Sequence, residues 1–180
     1  MTDENLLVQQ LKNPKLQEEA FRKLMQLYKE RLYWHIRKIV LSHNDADDVL
    51  QNTFIKVFKN IHNFNQQSKL YSWMYRIATN EAINFINKKA KLMNVDISEL
   101  QHKQVQTLST DNYFTGDEIQ IKLQEAIATL PQKQQLVFNM KYFDEMKYKQ
   151  MATILETSVG ALKASYHIAT KKIEAFLKNN

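Results

Sequence analysis

Glycine and proline are nearly missing from this chain. Among its 180 residues there are two of each, Gly116 and Gly160, Pro14 and Pro131. A sheet protein needs turn residues about every 8–12 positions to reverse its strands, and nothing here supplies them. The helix satisfies its backbone donors and acceptors locally, so the composition predicts an all-α fold. With no cysteine, disulfides and thiolate metal sites are excluded, and a reducing compartment suits the chain.

Pro14 falls near the start of a long helix, where proline is tolerated. From Lys15 to Val40, residues Ala20, Leu24, Leu27, Leu32, Ile36 and Ile39 recur at helical spacing and predict one apolar face. Asn44 or Asp45 is placed to cap the next helix, with Asp47 and Asp48 favourable at its positive end. Its apolar face is Val49, Leu50, Phe54, Val57, Phe58 and Ile61. The segment 62–69 has little that is apolar besides Phe64 and predicts a loop. Ser68 is placed to cap a third helix, striped by Leu70, Trp73, Met74, Ile77, Ala78, Ala82, Phe85 and Ile86.

After Lys91 the pattern fades. Residues 95–116 are rich in Asp, Ser, Thr, Gln and Asn and are expected to form a linker, partly disordered. The organisation read from the sequence is therefore two helical domains, 1–94 and 117–180, joined by 95–116. The second domain is near the size at which a lone core is marginal. Phe138, Ile154, Leu155, Leu162, Ile173 and Phe176 are its expected core, shared among four helices.

The chain carries 25 Lys and Arg against 19 Asp and Glu, a net charge of +6. That permits phosphate neutralisation without demanding it. The first ten residues lack the basic stretch and apolar core of a secretory leader. No run approaches the ~20 apolar residues that span a bilayer, so a soluble cytoplasmic protein without membrane insertion is expected. The five histidines are scattered, with no metal-ligand spacing. There is no phosphate-binding glycine loop and no GxSxG elbow. Neither catalysis nor a metal or cofactor is expected.

Three stretches carry a possible function. In 148–172, Met151, Ala152 and Leu155 fit the inner face of a short helix, and Leu162, Ala169 and Ile173 that of a following one. Glu156, Thr157 and Ser158 form the turn between them. This is the spacing of a helix-turn-helix, whose second helix enters the major groove. Ser158 is placed to cap that second helix. Ala161, Lys163, Ala164, His167 and Lys171 then face outward, and small, cationic and hydrogen-bonding groups suit base edges and phosphates. A plain helical hairpin with a solvated lysine face is the bland alternative, and Glu156 stands where glycine is usual.

In the second stretch, Tyr71, Trp73 and Tyr75 are interleaved with Arg76, Asn80 and Asn84 and followed by Lys88, Lys89 and Lys91. Aromatics and arginine stack on unpaired bases, amides bond base edges and lysines suit phosphates. Trp73 lies on the apolar stripe and is expected in the core. The third stretch is the cluster Asp45, Asp47 and Asp48, which with Gln51, Asn52 and Lys56 makes either a capped, solvated helix end or a protein-docking surface. It lacks the ligand spacing and internal glycine of a calcium loop.

Together these stretches resemble the bacterial RNA polymerase sigma factors of the extracytoplasmic-function type, group four of the sigma-70 family. DADDVLQNTFIKVFKNI is similar to the family's acidic DVxQ(D/E)xFxxxF helix, and YSWMYRIATNEAINFINK to its WLYRIAxNxxxDxxR helix. IATLPQKQQLVFNMKYFDEMKYKQMATILETSVGALKASYHIATKKI resembles region 4. The resemblance covers roughly 15–91 and 119–177, both halves in order.

The resemblance implies a factor that binds core RNA polymerase, through the β′ clamp and the β flap, and directs it to promoters. Asp45, Asp47, Asp48, Gln51, Phe54, Lys56 and Phe58 would dock on the clamp, the two phenylalanines being partly core. Phe64, Asn65, Asn80, Asn84, Lys88, Lys89 and Lys91 would hold the melted minus-ten strand. Ser158, Ala161, Lys163, Ala164, His167 and Lys171 would read the duplex minus-thirty-five element. An anti-sigma factor is a further implied partner.

Two departures stand out. Lys88-Lys89 replaces the family's frequent Arg-Arg, and lysine cannot make the bidentate fork, so phosphate contact is expected there. Ile168-Ala169-Thr170 replaces a late arginine-bearing run. An autonomous helix-turn-helix regulator and a helical interaction adaptor are the alternatives. Neither needs a single-strand reader.

Overall fold

The computed structural model describes residues 3–106, 108 and 118–179. Its regular elements are helical: α1 (Asp3–Lys12), α2 (Gln17–Val40), α3 (His43–Asn60), a 3-10 turn (Ile61–Asn63), α4 (Leu70–Met93), α5 (Ile97–Gln106), α6 (Glu118–Ala128), α7 (Gln132–Tyr142), α8 (Tyr148–Leu155) and α9 (Val159–Asn179). No strand occurs among the described residues, as the shortage of turn residues predicts.

α2, α3 and α4 pack on one another and bury Leu32, Ile36, Val49, Tyr75, Ala78 and Ala82. α1 closes the far end, adding Leu7, Val8 and Leu11 to a cluster with Leu24, Val57, Ile61, Phe64, Leu70 and Met74. This helix has no counterpart in the sequence reading, which singles out no apolar stripe ahead of Pro14. Pro14 lies in the turn between α1 and α2. Leu27, placed on the inner face of α2 by spacing, is 55% exposed, and Phe21 and Met25 are partly buried instead.

Caps differ from expectation by short shifts. Ser42, not Asn44 or Asp45, caps α3, its Oγ accepting from Asp45 N–H at 3.3 Å. Ser68 does not cap α4: Lys69 is the N-cap residue and makes no side-chain cap bond. Leu70 N–H donates instead to Glu4 Oε1 on α1, at 3.0 Å.

The expected linker begins as structure. Residues 97–106 form α5, which buries Leu100, Gln101 and Val105. Gln101 and Gln135 exchange two amide hydrogen bonds of 2.9 Å each, so both buried side chains are satisfied. Val105 and Leu108 pack with Leu41 and Ala128. Three apolar residues spread over ten positions give little periodic signal, and their partners lie on distant elements. Residues 107 and 109–116 of the expected linker lie outside the described residues.

The second half does not rely on a core of its own. Ala126, Ile127, Leu130, Phe138, Ala169 and Ile173 make a small cluster. Leu136, Val137, Met140, Met146, Met151, Ile154 and Leu162 join the same core as the first half. Polar groups cross the same boundary. Asp144, in the α7–α8 connection, accepts from His35 Nδ1 at 3.1 Å and pairs with Lys38, both on α2. His35 Nε2 meets Thr79 Oγ at 2.8 Å, and that hydroxyl donates onward to Tyr75 O at 2.7 Å. Both ring nitrogens of this buried side chain are thus hydrogen-bonded. Asn139 Nδ2 donates to Lys38 O at 3.3 Å.

Burial pushes the Asp144 carboxyl up, but the hydrogen bond and charge of His35 and the ammonium of Lys38 outweigh it and hold the group below the usual carboxylate range. A depressed carboxylate contributes stability that is complete above its unfolded value and is lost as pH falls through the folded one. Asp144→Asn is therefore expected to lower unfolding free energy at neutral pH by ~1.5–3 kcal/mol, the range for hydrogen bonds to charged groups. The gap between variant and parent should shrink as the pH falls below 3.8. Urea titrations across that range check both statements, and equal stability at pH 7 would contradict the first.

Candidate functional site

Three surfaces collect the residues singled out above. The first is a groove of about 770 Å³ between α2 and α3. Its floor is apolar, from Phe21, Met25, Leu50, Phe54, Ile55 and Phe58, and its rim is charged, from Arg22, Lys29, Asp47 and Asp48, with Gln51 beside them. Phe21 stands edge-on to Phe54 at 6.0 Å and to Phe58 at 5.0 Å between centroids. Phe54 is buried, whereas Ile55 and Phe58 are 45% and 37% exposed. An apolar floor left open beneath a two-signed rim is the anatomy of a protein-docking site.

Of the docking residues expected from the sequence, Asp47, Asp48, Gln51, Phe54 and Phe58 line this groove. Asp45 and Lys56 do not. Asp45 turns away to pair with Lys89 of α4 and to accept from Gln104 of α5. Lys56 pairs with Glu81 of α4. The α2 wall was missed in the sequence. Its signal was the offset of Phe21 and Met25 from the main stripe, which leaves them at the edge of the buried face.

The second surface is the outer face of α4. Asn80, Asn84, Lys88 and Lys91 are exposed and recur at one- and two-turn spacing, so they form one polar stripe. Lys89 is diverted to Asp45 and lies over the Phe85 ring. Tyr71 and Tyr75 are buried against each other, their centroids 4.3 Å apart. Tyr75 O–H donates to Arg31 O at 3.1 Å, and burial pushes the phenol far above its usual range. These rings belong to the core and are not presented to a base, and Trp73, expected in the core, is partly buried against it.

The loop 64–69 leads into α4, with Phe64 packed on Trp73 in its first turn. Asn65 is exposed, its Oδ1 accepting from Gln67 N–H at 3.3 Å. Phe64, expected to line a strand-holding pocket, is instead 3% exposed and packed 5.2 Å from Trp73. A large apolar ring next to a forming core is buried sooner than offered to solvent. The lining that remains for a ligand mixes amides with charge: Gln66, Gln67, Ser68 and Lys69 from the loop, Asn5 and Glu4 from α1, around about 560 Å³.

The third surface is α8, its turn and α9. Glu156 takes the left-handed conformation, φ 51°, in the place where glycine is usual. Ser158 Oγ accepts from Ala161 N–H at 3.1 Å and caps α9. Ala161, Lys163, Ala164, His167 and Lys171 are exposed, while Leu162, Ala169 and Ile173 are buried. The inside-outside assignment of α9 is the one its spacing predicts, whereas on α8 Met151 and Ile154 are buried and Ala152 and Leu155, placed on the inner face by spacing, are only partly so. Gly160 meets nothing within 4 Å of an added Cβ, so the start of α9 stands clear on that side. Arg76 of α4 pairs with Glu156 of the turn at 2.7 Å, which sets the second and third surfaces side by side.

Family models match both halves. Sigma-70 region 2 covers residues 24–92 and sigma-70 region 4 covers residues 120–173. The chain belongs to the sigma-70 family. Among its relatives, the ECF RNA polymerase sigma factor SigW of Bacillus subtilis is 28% identical over 171 residues, covering 90% of this chain and 91% of that protein. The ECF RNA polymerase sigma-E factor of Haemophilus influenzae is 27% identical, covering 87% of each. These relatives put the chain in the extracytoplasmic-function (ECF) group of sigma factors, which direct RNA polymerase to promoters. Two solved structures share the fold. CnrH in complex with the cytosolic domain of CnrY superposes with a TM-score of 0.70 at 18% identity, over 98% of both chains. The sigma factor RpoE in complex with the anti-sigma factor NepR from Bartonella quintana gives 0.67 at 19%, over 89% of this chain and 98% of that one. No described helix of this sigma factor is long and apolar enough to cross a membrane.

The α9 cap gives a separable expectation. Ser158→Ala should lower stability by ~1 kcal/mol through the lost cap, whereas Ser158→Asp should keep the cap and weaken duplex DNA binding by repelling phosphates. Denaturant titration and DNA-binding isotherms at fixed salt check the two effects separately. Equal stability of Ser158→Ala and parent would mean that the hydroxyl does not support α9.

Proposed function

We propose that the three surfaces divide the work of a sigma factor, with residues 1–94 docking the polymerase and holding the melted strand, and residues 117–180 reading the duplex. The observation that carries this division is chemical. The α2–α3 groove is apolar with a two-signed rim, the α4 stripe is amide and lysine, and the outer face of α9 is small and cationic.

The groove suits a helical partner, and Asp47, Asp48 and Gln51 on its rim face a basic one. In this reading the occupant is the β′ clamp of core polymerase, with the β flap contacting the second half. The α4 stripe and the loop 64–69 suit an unpaired strand: Asn80, Asn84, Asn65 and the loop glutamines bond base edges, and Lys88 and Lys91 meet phosphates. Extruding a base costs a few kcal/mol in stacking and pairing, which these bonds would offset. Lys163, Ala164 and His167 occupy the outward positions of α9 that suit the major groove.

The chain supplies address and opening, and the chemistry of RNA synthesis belongs to the polymerase. Its place of work is the cytoplasm. Joining two readers raises the effective concentration of the second once the first is seated. The same fold has been solved in two proteins with a protein partner attached, which supports a partner of the anti-sigma kind for this chain.

Run-off transcription with core polymerase on genomic fragments tests the whole assignment. A discrete set of transcripts that depends on this chain is expected, and its absence across varied templates would remove the reading. Asp48→Arg should abolish co-purification with core polymerase, since it reverses the charge on the groove rim. Asn80→Ala should leave core affinity intact and lower the yield of permanganate-reactive open complex. A normal yield would take Asn80 out of the strand-holding face.

A further inference from the structure

Both ends of the loop 64–69 are tied to one helix, and that helix precedes the residues matched by the region 2 family model. Lys12 Nζ, at the end of α1, donates to Phe64 O at 2.5 Å. Glu4 Oε1, in its first turn, accepts from Leu70 N–H at 3.0 Å. The two side chains are eight residues apart on α1, ~12 Å at the helical rise, so α1 spans the loop like a strut. Both bonds join a charged group to the backbone, the stronger class of hydrogen bond.

Neither bond duplicates one that the loop makes for itself. Leu70 N–H is a first-turn donor of α4 with no intrahelical acceptor, and Lys69 makes no side-chain cap bond. Glu4 is therefore the cap of α4, delivered from another helix. Within the loop, Gln66 sits at φ 59°, a conformation that costs a non-glycine residue and persists only where surrounding structure holds it. The cavity beside it is walled by α1 on one side, through Glu4, Asn5 and Val8, and by Gln66, Gln67 and Ser68 on the other. The burial of Leu7, Val8 and Leu11 already docks α1 on the bundle, so the two charged side chains are not needed to attach the helix.

We infer that α1 is a positioning element of the strand-holding surface, with Glu4 and Lys12 fixing the two ends of loop 64–69 in the shape that accepts an unpaired strand. This rests on the reading, proposed above, in which that loop takes the melted minus-ten strand. Glu4 and Lys12 act through the loop backbone.

The test uses full-length chain assembled with core RNA polymerase on a template selected by run-off transcription with the parent protein. Glu4→Ala and Lys12→Met remove the acceptor and the donor, Glu4→Gln and Lys12→Arg keep them, and Asn65→Ala with Gln67→Ala alters the loop itself. Core affinity and the yield of permanganate-reactive open complex are measured for each. Glu4→Ala and Lys12→Met are expected to keep core affinity and lose open complex about fivefold, the equilibrium weight of one helix cap. Glu4→Gln and Lys12→Arg are expected to restore it.

If the loop variant loses open complex while Glu4→Ala and Lys12→Met do not, the loop reading stands and the role of α1 is overturned. If Glu4→Ala and Lys12→Met lose core affinity as much as opening, or the conservative variants fail to restore opening, α1 is only a structural support and the inference falls. If the loop variant opens promoters normally, the reading on which the inference rests has failed, whatever α1 does.

Discussion

The coverage of α4 organises the molecule. Among the described residues α2, α3, α5 and α8 all lie against this one helix. α2 meets it through Tyr75 O–H on Arg31 O and His35 on Thr79. α3 meets it through Lys56 and Glu81, and α8 with its turn through Arg76 and Glu156. With most of its aromatic and small residues buried, the helix leaves a polar stripe to solvent, Asn80, Asn84, Lys88 and Lys91 with Asn87 beside them, and Leu92 and Met93 at its end. The proposed strand-holding face thus lies within the part of α4 that its neighbours leave open. Its polarity follows from the rule that apolar side chains are buried wherever neighbours reach them.

The second half of the chain is held by the same interior. A domain of this size buries a smaller share of its surface than a larger one and is marginal alone. Here its apolar residues are shared: Phe138, Ala169 and Ile173 keep a local cluster, and Leu136, Met140, Met151, Ile154 and Leu162 join the core of the first half. The buried carboxylate of Asp144, bonded to His35 and Lys38, makes this contact specific as well as apolar. An unpaired charge at that boundary would be costly, so the halves meet in one register.

A chain with two glycines must turn with other residues. Leu41, Gln66, Asn94, Glu145 and Glu156 all take positive φ, at roughly 1–2 kcal/mol each for a residue with a Cβ. Several of them have a visible compensation. Leu41 buries its side chain with Val105, Leu108 and Ala128. Glu156 pairs with Arg76. Gln66 lies in the loop that α1 ties at both ends. Strain of this kind is retained where tertiary contacts over-determine the backbone, and two of these positions border the surfaces assigned to nucleic acid.

The all-α class, the helix-turn-helix and the outward residues of α9 were legible in the sequence. Each depends on local periodicity, and Leu162, Ala169 and Ile173 mark the inner face without reference to any other element. α1 and α5 were not legible, because the few apolar residues of each make sense only against partners far along the chain. Within the site, the sequence determined which residue types stand on which face of α3, α4 and α9. Only the tertiary structure decided which of them remain available: Lys89 and Asp45 neutralise each other, Lys56 is taken by Glu81, Phe64 is drawn under Trp73, and Glu4 and Lys12 come to hold a loop 52 to 66 residues away. Helical spacing is a property of neighbours in sequence, whereas the partner of a charge or a ring is set by which elements pack together in space.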